Sequence, residues 1–197
     1  MMKIGFDLDN TIANYDVAVE KLASKFFNTT QIFSTKNKLK SWCRNNQKNE
    51  KWTLFQGFLY GPGMQLVDPY PNALEQIARL KKIGCKLCII SHKTKSPYKG
   101  KKYRLQIHAK NWIMNKVRYH NALLFDEKNV FFELSVEKKI KRISDENLDA
   151  FIDDLPLVLG HKEFPTKPKK ILFNPGRLPN IEEYCQIFNW AQLEEVL

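Results

Sequence analysis

The sequence predicts an α/β fold in which a parallel sheet carries helices on both faces, together with a small, mostly helical insert. Short apolar runs typical of buried strands alternate with amphipathic stretches of helical spacing, and this alternation indicates a parallel sheet. Hydrophobic residues make up 43% of the 197 residues, which is enough for one well-buried core. Polar residues directly follow three of the apolar runs, and ligands of such sheets bind beyond the carboxyl ends of the strands.

The first strand and the first helix lie near the start of the chain. Residues 3–6 form a short apolar run, and residues 7–11, with the sequence DLDNT, follow it directly. A buried strand therefore presents polar side chains at its carboxyl end. Asp16 is expected to cap the helix that comes next. The apolar stripe predicted for that helix consists of Val17, Leu22 and Phe26 or Phe27.

Between residues 28 and 66 the periodicity weakens, and large aromatic residues stand among polar ones. We interpret this segment as a small, mostly helical insert that packs through its aromatic side chains, because so short a segment needs apolar anchors. The core domain is placed at residues 1–15 and 67–197, and the insert at residues 16–66. The aromatic residues are Phe33, Trp42, Trp52, Phe55, Phe58 and Tyr60.

After the insert, predicted strands and helices alternate in the manner of a Rossmann-like sheet. The second of the predicted helices should turn Ile107, Trp112 and Ile113 inward, and Asn180 should cap the last one. The predicted strands lie at residues 85–90, 130–132, 150–152 and 170–172, and the predicted helices at residues 73–83, 105–117, 136–143 and 181–197.

Four carboxylates stand at two of the predicted strand ends. Asp7 and Asp9 follow the first strand, and Asp153 and Asp154 follow the strand at residues 150–152. Four negative charges that meet at one edge of a sheet repel one another unless cations neutralise them. A hard divalent ion such as Mg²⁺, bound by oxygen ligands, water and a substrate phosphate, fits this arrangement. Each pair taken alone is also typical of turn or cap aspartates.

The net charge is +11, from 32 lysine and arginine residues against 21 aspartate and glutamate residues. Such a surplus attracts polyanions, phosphorylated metabolites or acidic membrane surfaces, and it also arises as an ordinary solvated surface in a chain rich in lysine and asparagine. Four cysteines are too few for a disulfide scaffold. No apolar stretch has the length of a membrane span, and the first residues do not form a signal peptide. We therefore expect a soluble cytoplasmic protein without a membrane partner.

Four short motifs or single residues follow one another along the chain. They are DLDNT at residues 7–11, Ser91 after an apolar strand, a lysine at Lys138 or Lys139, and IDD at residues 152–154. In this order they resemble the four motifs of the haloacid dehalogenase-like (HAD) hydrolase superfamily. The resemblance implies a HAD-like fold, in which the insert takes the place of the small helical cap between the first and second motifs.

Two further sequences narrow the resemblance. SHKT at residues 91–94, followed by a proline and a glycine, and FIDDLP at residues 151–156 are similar to a branch of the superfamily with no assigned substrate. The resemblance therefore implies a family and a mechanism rather than a particular metabolite.

The resemblance implies roles for the two carboxylates of the first motif. Asp7 would be the nucleophile that attacks phosphorus and forms an aspartyl-phosphate, which water then hydrolyses. Asp9 would protonate the leaving oxygen and later activate the water. Phosphatases of the family keep this second aspartate and dehalogenases do not, so Asp9 favours phosphoryl chemistry over cleavage of a carbon–halogen bond.

The resemblance also implies which residues bind the substrate phosphate. Thr11 would steady the loop, Ser91 would hydrogen-bond the phosphoryl oxygens, and the lysine of the third motif would supply positive charge. We prefer Lys139 for that role because an isoleucine follows it, as in the family, with Lys138 as the alternative. His92 is a candidate for substrate contact, or else an ordinary loop histidine.

The magnesium ligands implied by the resemblance come from the first and fourth motifs. They would be the side chain of Asp7, the backbone carbonyl of Asp9, the side chain of Asp153 directly, and that of Asp154 through water or as an outer partner. Asn10 stands where glycine is commoner in the family. Asparagine tolerates unusual backbone angles, so this departure does not argue against activity.

The function implied by these motifs is that of a Mg²⁺-dependent phosphatase acting on a small phosphate monoester, either a nucleotide or a sugar phosphate. Three alternatives stay open. A basic loop at residues 93–104 contains Tyr98 and Tyr103 among its lysines, which favours a phosphatase of nucleic-acid ends. The same fold also suits a non-catalytic module that binds a phosphorylated ligand. A phosphotransferase would pass the phosphoryl group to an acceptor other than water.

Overall fold

A parallel sheet of six strands lies at the centre of the protein. The computed structural model describes residues 1–179 and 183–197. The strands are β1 Lys3–Phe6, β2 Lys86–His92, β3 Val130–Glu133, β4 Ala150–Asp153, β5 Lys169–Phe173 and β6 Cys185–Ile187. They lie in the order β6-β5-β4-β1-β2-β3, and every neighbouring pair is parallel. The first strand therefore lies between β4 and β2, which bring the other predicted site residues.

Helices connect the strands. The α-helices of the described residues are α1 Asp16–Phe27, α2 Lys36–Asn45, α3 Asn49–Leu59, α4 Ala73–Lys82, α5 Leu105–Lys116, α6 Val136–Asp145 and α7 Pro156–Leu159. Short 3-10 helices cover Pro62–Leu66, Glu127–Asn129 and Trp190–Val196. Within the parts of the chain that the structure describes, no helix has the length and apolarity to cross a bilayer.

Both faces of the sheet are covered by helices. Successive strand residues point to opposite faces, and each face has its own hydrophobic cluster. Ile4 and Ile89 belong to the cluster that contains buried residues of α4 and α5. Ile90 and Phe151 belong to the cluster that contains buried residues of α6 and α7. The predicted parallel sheet with helices on both faces is confirmed.

The segment between β1 and α4 is mostly helical, as predicted. Helices α1, α2 and α3 pack together through a cluster of aromatic rings. The ring of Phe27 lies 5.7 Å from that of Trp42 and 5.4 Å from that of Phe55, and Phe33 lies 5.1 Å from Trp42, measured between centroids. Because these rings are buried or half-buried, they form the apolar anchor that so small a unit needs.

In each of two helices one residue of the predicted inward face is exposed, while the other predicted residues pack against the core. Val17 of α1 is 37% exposed and Ile107 of α5 is 47% exposed, so both were wrongly assigned to the core. Asp16 is the first residue of α1 and not its cap, which is Tyr15. The faces that contain alanine are the buried ones, because small side chains let a helix approach its neighbours closely. The buried residues are Ala18, Val19, Ala23 and Phe27 in α1 and Leu105, Ala109, Trp112 and Ile113 in α5.

The prediction of a single helix over residues 181–197 is wrong. The chain instead forms the edge strand β6, in which buried Ile187 pairs with Phe173, and then the 3-10 helix Trp190–Val196. Asn189 caps the start of this 3-10 helix, where it forms the reciprocal hydrogen bonds of a capping box with Gln192. The sheet edge offers unpaired backbone groups, and strand pairing there outweighs the helical pattern. Residues 180–182, which include the predicted cap, lie outside the described residues.

Two cysteines are buried, and burial suppresses their reactivity. It raises the pKa of the Cys43 thiol to about 11 and that of the Cys88 thiol to about 12, so the reactive thiolate is scarce at pH 8. We expect iodoacetamide to label these two thiols only after unfolding in urea, whereas half-exposed Cys185 is labelled in the native protein. Peptide mass spectrometry after pulse labelling measures this. Native labelling of Cys88 at the rate of Cys185 would contradict the described packing.

Candidate active site

Three strand ends bring the predicted motif residues to one edge of the sheet. Asp7 directly follows β1, and its backbone N–H donates to the Ile152 carbonyl of β4 at 2.8 Å. Ser91 lies near the end of β2, which was predicted to stop at residue 90 but continues to residue 92. Asp153 is the last residue of β4. Since parallel strands all end on the same side, these residues meet where the topology predicts a ligand site.

A cavity of about 330 Å³ opens at this edge. Its floor is formed by motif residues, and its walls come from α3 of the helical segment, from the loop after β2, and from the first residues of α6 and α7. Thr11 does not line the cavity but is fully buried beside it. Its carbonyl accepts a hydrogen bond from Trp190 Nε1 at 3.0 Å, which anchors the loop after β1. The other predicted phosphate-binding residues, Ser91, His92 and Lys139, all line the cavity.

Lys139 joins two of the carboxylates. Its Nζ atom lies 2.6 Å from Asp7 Oδ1 and 2.6 Å from Asp153 Oδ2, and the side chain is almost completely buried. Burial alone would lower the pKa of Lys139, but the two carboxylates outweigh burial and raise it, so the amine carries its charge. Lys138, the alternative, is exposed. The structure therefore places Lys139, and not Lys138, among the motif carboxylates.

Asp7, Asp153 and Asp154 form a group suited to a cation. Each offers a carboxylate oxygen, and these oxygens all lie within 4.8 Å of one another. Burial raises the pKa of Asp153 to about 6 against the opposing effect of Lys139. Burial and the two neighbouring carboxylates raise that of Asp154. Asp154 Oδ1 is buried and has no hydrogen-bond partner among the described residues. Oxygen donors with excess negative charge and an unsatisfied atom fit a hard divalent ion such as Mg²⁺.

Asp9 is held apart from this group by a different set of partners. Its Oδ2 atom lies 2.7 Å from Lys93 Nζ, and the Tyr15 hydroxyl donates to its Oδ1 atom. Burial would raise the pKa of Asp9, but the Lys93 amine and the Tyr15 hydroxyl lower it below its usual value. The Asp9 side chain therefore faces the cavity as an ion pair, and it does not belong to the three-carboxylate group.

Ser91 and His92 both line the cavity but differ in burial. The Ser91 side chain is 1% exposed, and its Oγ atom has no hydrogen-bond partner in the described parts of the chain. A buried hydroxyl without a partner costs free energy, and an anion in the cavity would satisfy it. His92 is exposed at the rim.

Solved structures with this topology are available for comparison. A HAD hydrolase from Bacillus subtilis, solved bound to magnesium, has a TM-score of 0.60 at 17% identity over 100% of this chain and 98% of its own. The chain has the HAD fold. A HAD phosphatase from Thermococcus onnurineus gives 0.53 at 16% identity over 100% and 97%. A β-phosphoglucomutase from Pyrococcus sp. strain ST 04 gives 0.55 at 12% identity over 98% and 95%. No protein-family model matches the sequence, and no curated protein does.

The predicted HAD-like fold is therefore confirmed, and the four motifs can be placed in it. Sequence analysis did not identify three charged or polar residues of the site, because nothing in the local pattern distinguishes them from surface residues. They are Lys93, which pairs with Asp9, Lys36, which donates to Asn10, and Tyr15, which donates to Asp9. The one signal available in the sequence was the asparagine at position 10. In the structure its φ is 62°, the left-handed conformation that asparagine and glycine favour.

The basic loop after β2 is tied to α3. A Cβ atom on Gly57 would lie 2.8 Å from Pro97, and one on Gly61 would lie 2.9 Å from Tyr103, so glycine permits the close approach of helix and loop. The Tyr103 ring also lies 6.4 Å from Phe58, whereas Tyr98 is 85% exposed. Of the two tyrosines considered for base stacking, Tyr103 therefore packs against Phe58, and Tyr98 is exposed.

Replacing Lys93 with methionine should lower the free energy of unfolding, and more so at pH 7 than at pH 5. At pH 7 Lys93→Met leaves Asp9 charged and largely buried without its amine, which should cost about 3 kcal/mol of unfolding free energy. In the wild type the lowered pKa of Asp9 keeps it ionised between pH 5 and 7, in the folded and the unfolded state alike. In the variant burial raises that pKa, so the folded state takes up a proton as pH falls.

The difference in unfolding free energy between wild type and Lys93→Met should therefore shrink from pH 7 to pH 5. Urea denaturation at both pH values measures it, and the other carboxylates cancel because the two proteins share them. Lys95→Met, at an exposed position two residues away, is the control and should not change the pH dependence. A difference that grows towards pH 5 would be the wrong sign.

Proposed function

We propose that this protein is a Mg²⁺-dependent phosphatase that hydrolyses a small phosphate monoester through an aspartyl-phosphate. The observation that carries the proposal is the group formed by Lys139 with Asp7 and Asp153, next to Asp154. Asp7, Lys139 and Asp154 line the cavity, and Asp153 is fully buried. A buried ammonium beside carboxylates that suit a divalent ion provides the positive charge that a phosphoryl group needs. Asp7, Asp153 and Asp154 would hold Mg²⁺, which would offset the repulsion between the attacking carboxylate and the phosphate.

In the first half of the reaction Asp7 is the nucleophile. One carboxylate oxygen of Asp7 forms a bond to phosphorus, and the bond from phosphorus to the ester oxygen breaks. In the free protein Asp9 is ionised beside Lys93, so the proposal requires that the negative charge of the bound phosphate drive Asp9 to take up a proton. Asp9 then gives this proton to the leaving oxygen, and the product alcohol departs neutral. Lys139 and the free hydroxyl of Ser91 stabilise the charge on the transferring oxygens. The Asp9 carboxylate left behind is stabilised by Lys93.

The second half returns the enzyme to its starting state. Asp9 takes a proton from water, whose oxygen attacks phosphorus, and the bond between phosphorus and the Asp7 oxygen breaks. Inorganic phosphate leaves, and Asp7 is restored as a carboxylate. The cavity wall formed by α3 would contact the leaving group in the first half and limit the access of bulk water, while the attacking water enters after the alcohol has left. Thr53 and Gln56 of α3, and Tyr60 directly after it, are side chains on that wall.

A phosphotransferase is the second candidate. The HAD-fold neighbour from Pyrococcus is named as a β-phosphoglucomutase, and transfer differs from hydrolysis only in the acceptor of the phosphoryl group.

The four cysteines, all free in the structure, support a reducing compartment, and we propose the cytoplasm. The proposed partner is a small phosphorylated substrate. Nucleic-acid ends are the weaker alternative, supported by the net charge of +11 and by the basic loop.

The test is a panel of monoesters. Purified protein is incubated with nucleotides, sugar phosphates and a 5′-phosphorylated oligonucleotide, in MgCl₂ and in EDTA, and released phosphate is measured. We expect release from at least one small monoester in MgCl₂ and none in EDTA. Preference for the oligonucleotide, lost at high salt, would favour the nucleic-acid alternative. Binding of phosphorylated ligands without any release would overturn the proposal and favour a non-catalytic module.

A further inference from the structure

One amide group connects the helical segment to the proposed metal carboxylates. Asn10 Nδ2 donates to Asp154 Oδ2 at 3.3 Å, and Asn10 Oδ1 accepts from Lys36 Nζ at 2.5 Å. Lys36 is the first residue of α2, so the contact runs from this helix, through the loop after β1, to the end of β4. The other oxygen of Asp154, Oδ1, is the buried atom without a hydrogen-bond partner among the described residues.

An amide is the side chain that suits this position. Lys36 offers only donors, and the carboxylate of Asp154, in the ionised form that would hold a cation, offers only acceptors, so the residue between them must accept on one side and donate on the other. The lysine therefore also sets the orientation of the amide, since a reversed amide would place NH₂ against NH₃⁺ and oxygen against carboxylate. Asparagine also adopts the left-handed backbone of this position, where φ is 62°.

Lys36 is itself held in place. Its Nζ atom lies 3.2 Å from the hydroxyl of Tyr60, which lines the cavity, and 5.2 Å from the centre of the Tyr15 ring. Its backbone N–H donates to Asp16 Oδ1 at 2.9 Å. The amine is therefore a fixed donor and not a mobile surface charge, which is what orienting the Asn10 amide requires.

We propose that Asn10 is a positioning residue for the metal site: Lys36 orients its amide, and the amide holds Asp154 so that the free oxygen stays available to the ion. This role is assigned by the two hydrogen bonds and by the unsatisfied Oδ1 atom. The inference rests on the magnesium site of the proposed function. Outer partners that fix a ligand's orientation commonly change metal affinity 10- to 100-fold.

The test measures Mg²⁺ affinity by titration calorimetry, together with the rise in melting temperature on adding MgCl₂. Asn10→Gly removes the amide and keeps the backbone, because glycine adopts a positive φ without strain. We expect Asn10→Gly to weaken Mg²⁺ binding about tenfold and Lys36→Met to weaken it less, since the amide remains. The double variant should bind no more weakly than Asn10→Gly alone, because both act through one carboxylate. Lys40→Met, exposed on the same helix, is the control and should match the wild type.

The outcomes separate this inference from the proposed function. Wild-type Mg²⁺ affinity in Asn10→Gly, with a wild type that does bind Mg²⁺, would overturn the positioning role and leave the phosphatase proposal intact. Additive losses in the double variant would show that Lys36 does not act through Asn10. A wild type that binds no Mg²⁺ would overturn both, whereas phosphate release does not enter the comparison.

Discussion

Asp7→Asn is expected to abolish phosphate release while leaving the protein folded. The amide has nearly the same shape as the carboxylate and keeps an oxygen that can accept the Lys139 hydrogen bond, which is 2.6 Å in the wild type. Its oxygen is not a nucleophile, so no aspartyl-phosphate forms. Loss of a catalytic nucleophile lowers kcat by several orders of magnitude, and we expect a fall of at least about 1,000-fold. Phosphate release from the best monoester of the panel measures it.

The control for this variant is Asp68→Asn. Asp68 is exposed and pairs with Lys116 at 2.9 Å, away from the cavity, so its loss should leave kcat unchanged. Intact-mass spectrometry of acid-quenched reactions gives a second readout, because wild type and Asp68→Asn should carry one phosphoryl group and Asp7→Asn none. Substantial turnover by Asp7→Asn would remove the proposed nucleophile.

Lys139→Met is expected to destabilise the fold strongly when no divalent ion is present. The substitution keeps a similar apolar stem but leaves the carboxylates of Asp7 and Asp153 buried and adjacent without their shared ammonium. Removing one partner of a buried ion pair costs about 3–5 kcal/mol, a large part of the stability of a typical domain. Urea unfolding in EDTA measures the loss, and activity should also disappear.

Mg²⁺ should reduce this loss, because the ion supplies positive charge to the same carboxylates. The stabilisation on adding MgCl₂ should therefore be larger for Lys139→Met than for the wild type. Lys138→Met is the matched control: its exposed neighbour position predicts a change within about 0.5 kcal/mol. Equal stability of Lys139→Met and wild type in EDTA would mean that the buried pair does not form.

The strands and the carboxylates could be predicted because both depend on local pattern. Buried strands of a parallel sheet are short apolar runs, and Asp7 and Asp153 stand directly at the ends of two such runs. Lys139 was preferred over Lys138 from the family pattern, and helical geometry gives the reason for its position: it lies on the buried face of α6 with Ile140 and Ile143.

What could not be predicted depends on contacts between distant segments. Lys93 belongs to a lysine-rich stretch, and nothing in that stretch shows that this lysine is 4% exposed and paired with Asp9. The pairing of Lys36 with Asn10 joins a helix of the insert to the loop after β1, and the edge strand β6 forms because β5 lies beside it. Tertiary context decides such features, and local propensity does not.

In the proposed site, carboxylates from separate strand ends meet around one divalent ion, and one of them, Asp7, attacks phosphorus. Crystals grown with MnCl₂ in place of MgCl₂ test it most directly, because manganese scatters anomalously and shares the preference of magnesium for oxygen ligands. We expect one strong anomalous peak among the carboxylates of Asp7, Asp153 and Asp154, with Asp154 Oδ2 still hydrogen-bonded to Asn10. No peak among these carboxylates, or a peak bound elsewhere on the chain, would contradict it.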